Sequence, residues 1–547
     1  MFQNNLRQKA QALGGIGRSS LNSAFSLRPI RVLAALASGG ARSARFSRPA
    51  AALLAFTVPL LLAPAAFAQD LGIKAPAQAK PIAITNAVVH TVSGQTYPSG
   101  YVIFDKGKIT AIGDNALLPR LTSEVSIIDV GGKHVYPGMI GAYTQLGLTE
   151  ISTIRASNDM SEVGSGGINP EVRGCVAVNP DSTLIPVTRS NGVLTVGVFP
   201  AGGTLPGRAS VMVLDGWTYE DMTVKDVAGV IVNWPMSRPI TAWWMDTPEE
   251  EQLKNIRLNM LKIEDAFTQA SAYARAKAAD PASPVDLRWE AMRGVFSALP
   301  NAAPSSATPG SPSTPALAGA AASTKPAVDP RDGRGVRADT RTPVFVMAQD
   351  YDQITSAVEF CNRLGLRCII VGGRDAPQCT DLLQRHHIPV ILLGVHRMPQ
   401  RDDSAFDEPF TVAVKLQQAG VQWCMASGEE TAHERNLPYN AARAVGYGLD
   451  LDAAMRSVTL SPAEILGVSD TLGSLEVGKS ATLLITDGNP LEITTRIDSA
   501  YIHGKKIDLA NKQTELEKKY REKYRQLNSG KGESPAPAKS NAPPIGR

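Results

Sequence analysis

Several stretches of the chain carry side chains suited to proton transfer or to holding an anion. The segment SGEETAHERN, residues 427–436, brings Glu429, Glu430, His433, Glu434 and Arg435 close together. A histidine beside carboxylates can move protons near neutral pH, which makes Glu429 and His433 candidate catalytic residues. The alternative is a solvated loop leading into the helix LPYNAARAVGYGL. His396, just after the run ILL, is a third candidate, against the packing role an isolated histidine more often has. Arg374 follows RCIIVGG and carries the planar donor fork that grips a carboxylate; a surface ion pair is the competing reading. His386 and His387 are adjacent, so on a helix or a strand they face apart and do not share one metal ion. AGGTLPG, residues 201–207, is glycine-rich at a strand end but lacks the lysine of a phosphate loop, so nucleotide binding is not expected.

Positioning such groups takes a rigid frame, and the hydrophobic pattern supplies one. VLTVGVF (193–199), GVIVNW (229–234), PVFVMA (343–348), RCIIVGG (367–373), IPVILLG (388–394) and VQWCMAS (421–427) are near-continuous apolar runs. Strands buried on both faces of a parallel sheet read this way. Helical spacing separates them, as in Ile354, Ala357, Val358 and Leu364. Thr247-Pro248-Glu249-Glu250 reads as a capping box with proline at the first helical position. Repeated strand–helix units predict a closed barrel, with an open doubly wound sheet as the alternative. Short β-rich runs with hairpin turns fill residues 81–130, and the same texture returns in GSLEVGKSATLLITDG and RIDSAYIHGKKI. The expected fold is therefore α/β: a (β/α)8 TIM-like barrel plus a composite β-sandwich domain formed by both ends of the chain.

The ends differ from the middle. Residues 1–68 hold eight Lys or Arg and no acid. Arg42, Arg45 and Arg48 precede AALLAFTVPLLLA, and AFA at 66–68 is a small-x-small cleavage site. A signal/export segment over 1–68, cut after about Ala68, predicts a periplasmic protein; a membrane anchor is the alternative, disfavoured by Pro59 and Pro64 within a short run. Without that segment the chain has 47 basic and 51 acidic residues, a net charge of −4, so no nucleic-acid partner and no stable membrane span in the mature form are expected. A leader (69–80), the first part of the β domain (81–134), the barrel (135–466), the second part of the β domain (467–508), a charged helix (509–527) and a disordered tail (528–547) follow. The Ala/Pro/Ser-rich stretch 297–342 reads as a disordered insertion in the barrel. Leu516, Tyr520, Tyr524 and Leu527 form one face of the charged helix, which docks on the body or on a partner. The five cysteines form no CxxC pair; buried thiols are favoured over a disulfide within Cys361, Cys368 and Cys379.

Several blocks in order resemble the amidohydrolase superfamily, near its imidazolonepropionase-like branch. They are ITNAVVHTVSG, VIFDKGKITAIGD, GKHVYPGMIGAYTQLGL and LSPAEILGVSDTLGSLEVGKSATLLITDGNPL, together covering about residues 81–508. The resemblance implies hydrolysis of a non-peptide carbon–nitrogen bond, in a cyclic amide or related compound, by a metal-activated water. It also implies where the ligands should stand. His-x-His at the first strand end falls on Tyr143 and Gln145; later positions fall on Met347, Gly372 and Gly428. Phenol, amide and thioether are poor ligands for a Zn-type ion at neutral pH, and glycine offers none. No metal site is expected at these positions, and no cofactor, unless zinc or another divalent ion is held by an atypical rebuilt set. Arg173 and Asp181 lie in a region that resembles the mouth of this branch and are ligand-contact candidates beside Arg374. The expectation is an amidohydrolase-family protein without the usual metal ligands. The alternative is an inactive relative that binds a small molecule or serves as structural partner of an active homologue, as a homo- or hetero-oligomer.

Overall fold

The computed structural model describes residues 72, 74–161, 167–296, 340–428 and 430–529. The segment 1–68 expected to direct export, nearly all of the expected insertion 297–342, the residues beyond 529 and Glu429 lie outside the described residues. Among these no helix is long and apolar enough to cross a membrane.

Two eight-stranded sheets organise the chain. The first joins β1 (Ile82–His90), β2 (Thr96–Asp105), β3 (Lys108–Asp114), β4 (Ser126–Asp129) and β5 (His134–Pro137) with strands from the far end of the chain. In the second, β6 (Met139–Thr144), β7 (Val193–Val198), β8 (Arg208–Val213), β9 (Thr223–Asn233), β10 (Val344–Ala348), β11 (Cys368–Gly372), β12 (Val390–Leu393) and β13 (Trp423–Ala426) pair in chain order. β14 (Leu483–Thr486), β15 (Ile497–Ile502) and β16 (Lys505–Ile507) complete the first sheet, β14 pairing antiparallel to β5 with Leu483 opposite Pro137. The two ends thus share one sheet and one core, in which Ile84, Val102, Phe104 and Val135 meet Leu483, Ile485 and Tyr501. The pairing describes a single hydrogen-bonded sheet rather than the expected sandwich.

The second sheet is a nearly closed barrel, with β13 against β6. It departs from a pure (β/α)8 pattern: β8 runs antiparallel to both β7 and β9. The run RASVMV is short and follows a glycine-rich loop, so periodicity alone did not mark it as a strand. The lumen is apolar. Ile140, Phe199, Val211, Ile231, Phe345, Ile369, Val371, Ile391 and Cys424 fill it. Alternate residues of the same strands, such as Val344, Val346, Ile370, Val390 and Met425, pack outward in the larger core. Period-two alternation is present, but both faces are apolar, so it leaves no mark in the composition.

The helix predicted after Thr247 spans Glu249–Ala279, with Pro248 at its cap position and no side-chain cap, so the expected capping box is not formed. Proline at that position has no amide to be capped by a returning glutamate. Its first fully buried residue is Ile263. The charged helix spans Lys512–Ser529 and none of its residues is buried. All five cysteines are buried free thiols.

His90, on β1, stacks on Tyr136 with ring centroids 4.1 Å apart, and its Nε2 lies 2.9 Å from Nδ1 of His134. Burial, then the charge of His134, pushes the His90 pKa from 6.5 down to about 4. The unfolded chain therefore takes up a proton here at a pH where the folded protein refuses it. Stability from this group is complete above about pH 6.5 and is lost as pH falls toward 4. Urea unfolding midpoints should fall across that window in the native protein, and the fall should be shallower in His90→Gln.

Candidate functional site

The mouth of the barrel lies at the C-terminal ends of its parallel strands, and two adjoining cavities open there. One, of about 280 Å³, is lined by Gln349, Gly372, Arg374, His396, Ser427 and Gly428 among others. The other, of about 680 Å³, has Arg238, Tyr351, Arg374, Arg401 and Glu408 in its wall. Arg374 belongs to both.

Tight backbone turns shape the smaller cavity. Gly394 has φ 55°, and a Cβ there would run into the carbonyl oxygen of Ser427. Gly372 has φ 115°, and a Cβ would lie 2.7 Å from the carbonyl oxygen of Ala348. Only glycine takes such a conformation and such an approach without strain. Gly372 and Gly428, read from the sequence as ligand positions, therefore serve the course of the backbone around the cavity.

The other family-equivalent positions pack together. Tyr143 lies against Phe199 with centroids 4.9 Å apart, and Phe199 makes an edge contact with Phe345 at 5.0 Å. Met347 and Leu393 close the same cluster. Gln145 donates from Nε2 to the Tyr143 hydroxyl at 3.0 Å, as side chains two apart on a strand should. Burial raises the Tyr143 pKa, with the Gln145 hydrogen bond opposing it, so the phenol stays protonated at neutral pH. Among the described residues, no three His, Cys, Asp or Glu side chains come together as a group able to hold a metal ion.

Charge at the mouth centres on Asp375, whose side chain is 2% exposed. It accepts from both terminal nitrogens of Arg401, from Arg374 Nε at 3.4 Å and from the Tyr351 amide at 3.2 Å. Burial alone would raise its pKa, but the Arg401 hydrogen bonds and the Arg374 charge outweigh it and hold the carboxyl below its usual value. Two guanidiniums share this one carboxylate, and Asp350, Asp352, Asp403 and Glu408 add acidic groups to the wall of the larger cavity. Arg374 is thus an ion-paired residue and also a cavity-lining one, so both sequence readings hold in part.

The remaining candidates separate. His396 is exposed and lines the smaller cavity. His433 is exposed in the 3₁₀ turn Thr431–Asn436 and lines neither mouth cavity. Arg173 pairs with Asp226 at 2.9 Å, beside Cys175, whose Sγ is 3.2 Å from the same carboxylate. Asp181 pairs with Lys74 at 3.4 Å. Both are tied into local ion pairs and line neither mouth cavity.

Sequence reasoning missed Glu434 and Arg401. In the loop 427–436 the sequence singled out Glu429 and His433, with a solvated loop as the alternative, yet it is Glu434 that is fully buried and accepts from Ser427 Oγ at 2.5 Å. A Cβ on Gly141 would collide with its carboxylate. The absence of a side chain at Gly141 on β6 leaves the room that Glu434 occupies.

Parts of the chain and its fold are similar to known proteins. Residues 410–517 match the amidohydrolase family. A solved amidohydrolase from Thermotoga maritima MSB8 shares the fold at a TM-score of 0.61, with 21% identity over 78% of this chain and 99% of that one. A Xaa-Pro dipeptidase with bound methionine in the active site aligns at a TM-score of 0.45 and 14% identity, over 78% of this chain and 100% of that one. The amidohydrolase tasK of Hapsidospora irregularis is 20% identical over 469 residues, 78% of this chain. The chain spans only 43% of the length of that relative.

Proposed function

We propose that the chain is an amidohydrolase-family protein, near the imidazolonepropionase-like branch, whose barrel mouth takes a small polar ligand without the family's usual metal chemistry. The observation that carries this reading is the packing of Tyr143 and Met347 with Phe199 and Leu393. A protonated phenol and a thioether held in an apolar cluster are a poor donor set for a Zn-type ion. The smaller cavity beside them presents Arg374, His396, Gln349 and Ser427, a mixed set that suits a ligand with an anionic group and amide-like polarity.

By family resemblance the bond acted on is a non-peptide carbon–nitrogen bond in a cyclic amide or related compound. Any such hydrolysis would rest on an atypical group, for which His396 at the mouth is the candidate. The basic, acid-free start further supports export to the periplasm with cleavage after about Ala68.

Metal analysis of the purified protein, run beside a panel of cyclic amides, ureas and acylated amino acids with and without chelator, tests the reading. Metal well below one equivalent and no chelator-sensitive turnover are expected. One equivalent of zinc, with turnover abolished by chelator, would overturn it.

A further inference from the structure

Two apolar features of the surface are left uncovered by the described residues, and they match each other. The first is the helix Lys512–Ser529, whose stripe of Leu516, Tyr520, Tyr524 and Leu527 is 40–60% exposed. An amphipathic helix with none of its residues buried leaves its apolar face in water. The second is the start of the helix Glu249–Ala279 with the loop before it. Trp243 is 95% exposed, Trp244 56%, Leu258 44% and Leu261 60%. Surfaces that combine exposed tryptophans and leucines in this density are interaction sites more often than plain solvent faces.

We propose that the helix Lys512–Ser529 of one copy packs antiparallel on the exposed first half of the helix Glu249–Ala279 of a second copy, and reciprocally, to form a two-fold dimer. Charge selects both the occupant and the direction. Residues 518–529 hold five bases and one acid, whereas the start of the helix carries Glu515 and Glu517. On the receiving side, Asp246, Glu249, Glu250 and Glu251 come first, followed by Lys254, Arg257 and Lys262. Only the antiparallel arrangement sets the basic half against the four acids and the two glutamates against the three bases. Antiparallel helix dipoles favour the same direction.

Register agrees as well. With Arg521 set opposite Glu250, the antiparallel pairing puts Glu517 opposite Lys254 and brings Lys519 and Lys523 within one turn of Glu249 and Glu250. The rest of the chain is acidic, since residues 69–511 hold 47 acids and 38 bases. A basic arm is therefore drawn to a second copy of this body. Reciprocal exchange uses the same two patches on each copy and closes, so it stops at two. The intrahelical pairs Lys518–Glu515, Arg521–Glu517 and Arg525–Glu522 are exposed and too weak to hold the bases away from a partner.

Sedimentation velocity on the full purified chain tests the proposal. A dimer is expected in the native protein, weakened by salt. Tyr520→Ser with Tyr524→Ser, and separately Trp243→Ser with Trp244→Ser, should each raise the dimer dissociation constant about tenfold or more. The reversal Lys519→Glu with Lys523→Glu should do likewise, and adding Glu249→Lys with Glu250→Lys should restore the dimer. These are all surface positions, and unchanged circular dichroism would show the variants folded. A native protein that stays monomeric would overturn the proposal, whether the monomer binds anionic phosphatidylglycerol vesicles or crosslinks the two helices within one chain. A dimer indifferent to both aromatic pairs, or a charge reversal without rescue, would overturn it equally.

Discussion

Phe199→Ala is expected to lower folding stability by about 3–5 kcal/mol, the range for removing a buried aromatic ring. Phe199 is fully buried at the point where the lumen meets the mouth. It touches Tyr143 on one side and Phe345 on the other. Its ring fills the region beneath the positions read as lost metal ligands. The barrel wall around it is an almost continuous hydrogen-bonded sheet, which cannot collapse into the void as a loop would. The loss should appear as a lower urea midpoint with little change in m-value. A Phe199→Leu variant should recover most of it, because leucine restores apolar volume. A loss below 1 kcal/mol for Phe199→Ala would mean that the lumen is not packed as described.

Asp375→Ala is expected to cost about 2–4 kcal/mol, somewhat below the ~3–5 kcal/mol of a fully buried pair because one partner reaches water. The carboxylate is 2% exposed, while Arg401 remains 44% exposed and Arg374 19%. Its removal strands the Tyr351 amide and leaves two guanidiniums facing each other. Asp375→Asn separates these effects: it keeps the shape, removes the charge, and should raise the affinity of the mouth for acetate or another small carboxylate even as stability falls. In the native protein the folded carboxyl titrates below 3.8, so its contribution is present above that pH and is lost on acidification through the folded pKa. Thermal melts of both variants, with and without carboxylate, check the prediction.

Much of the frame could be read from the chain. Six continuous apolar runs mark six barrel strands because parallel strands are buried on both faces. The same property hides which residues point into the lumen: Phe345 and Val346 look alike in sequence but sit on opposite sides of the wall. Strand β8 escaped because an antiparallel hairpin needs no helix to announce it. At the mouth, Arg374 and His396 were found since each directly follows a strand. Arg401 was not, because its tie to Asp375 spans 26 positions, across a short helix and strand β12, and no sequence period links the two. Glu434 was misread because a charged residue in a polar stretch normally means solvent; only its meeting with Gly141 across the barrel reverses that meaning.

The shared sheet has a consequence for how the molecule is made. β5 and β14 stand side by side, yet Pro137 and Leu483 are 483 − 137 = 346 positions apart in the chain. No hydrogen bond between them can form until the last strands exist, so closure of this sheet is a late event of high contact order. Until then β5 presents an open edge, which is a liability for aggregation. A sheet closed by β14, β15 and β16 keeps that edge open until residues 483–507 have been made.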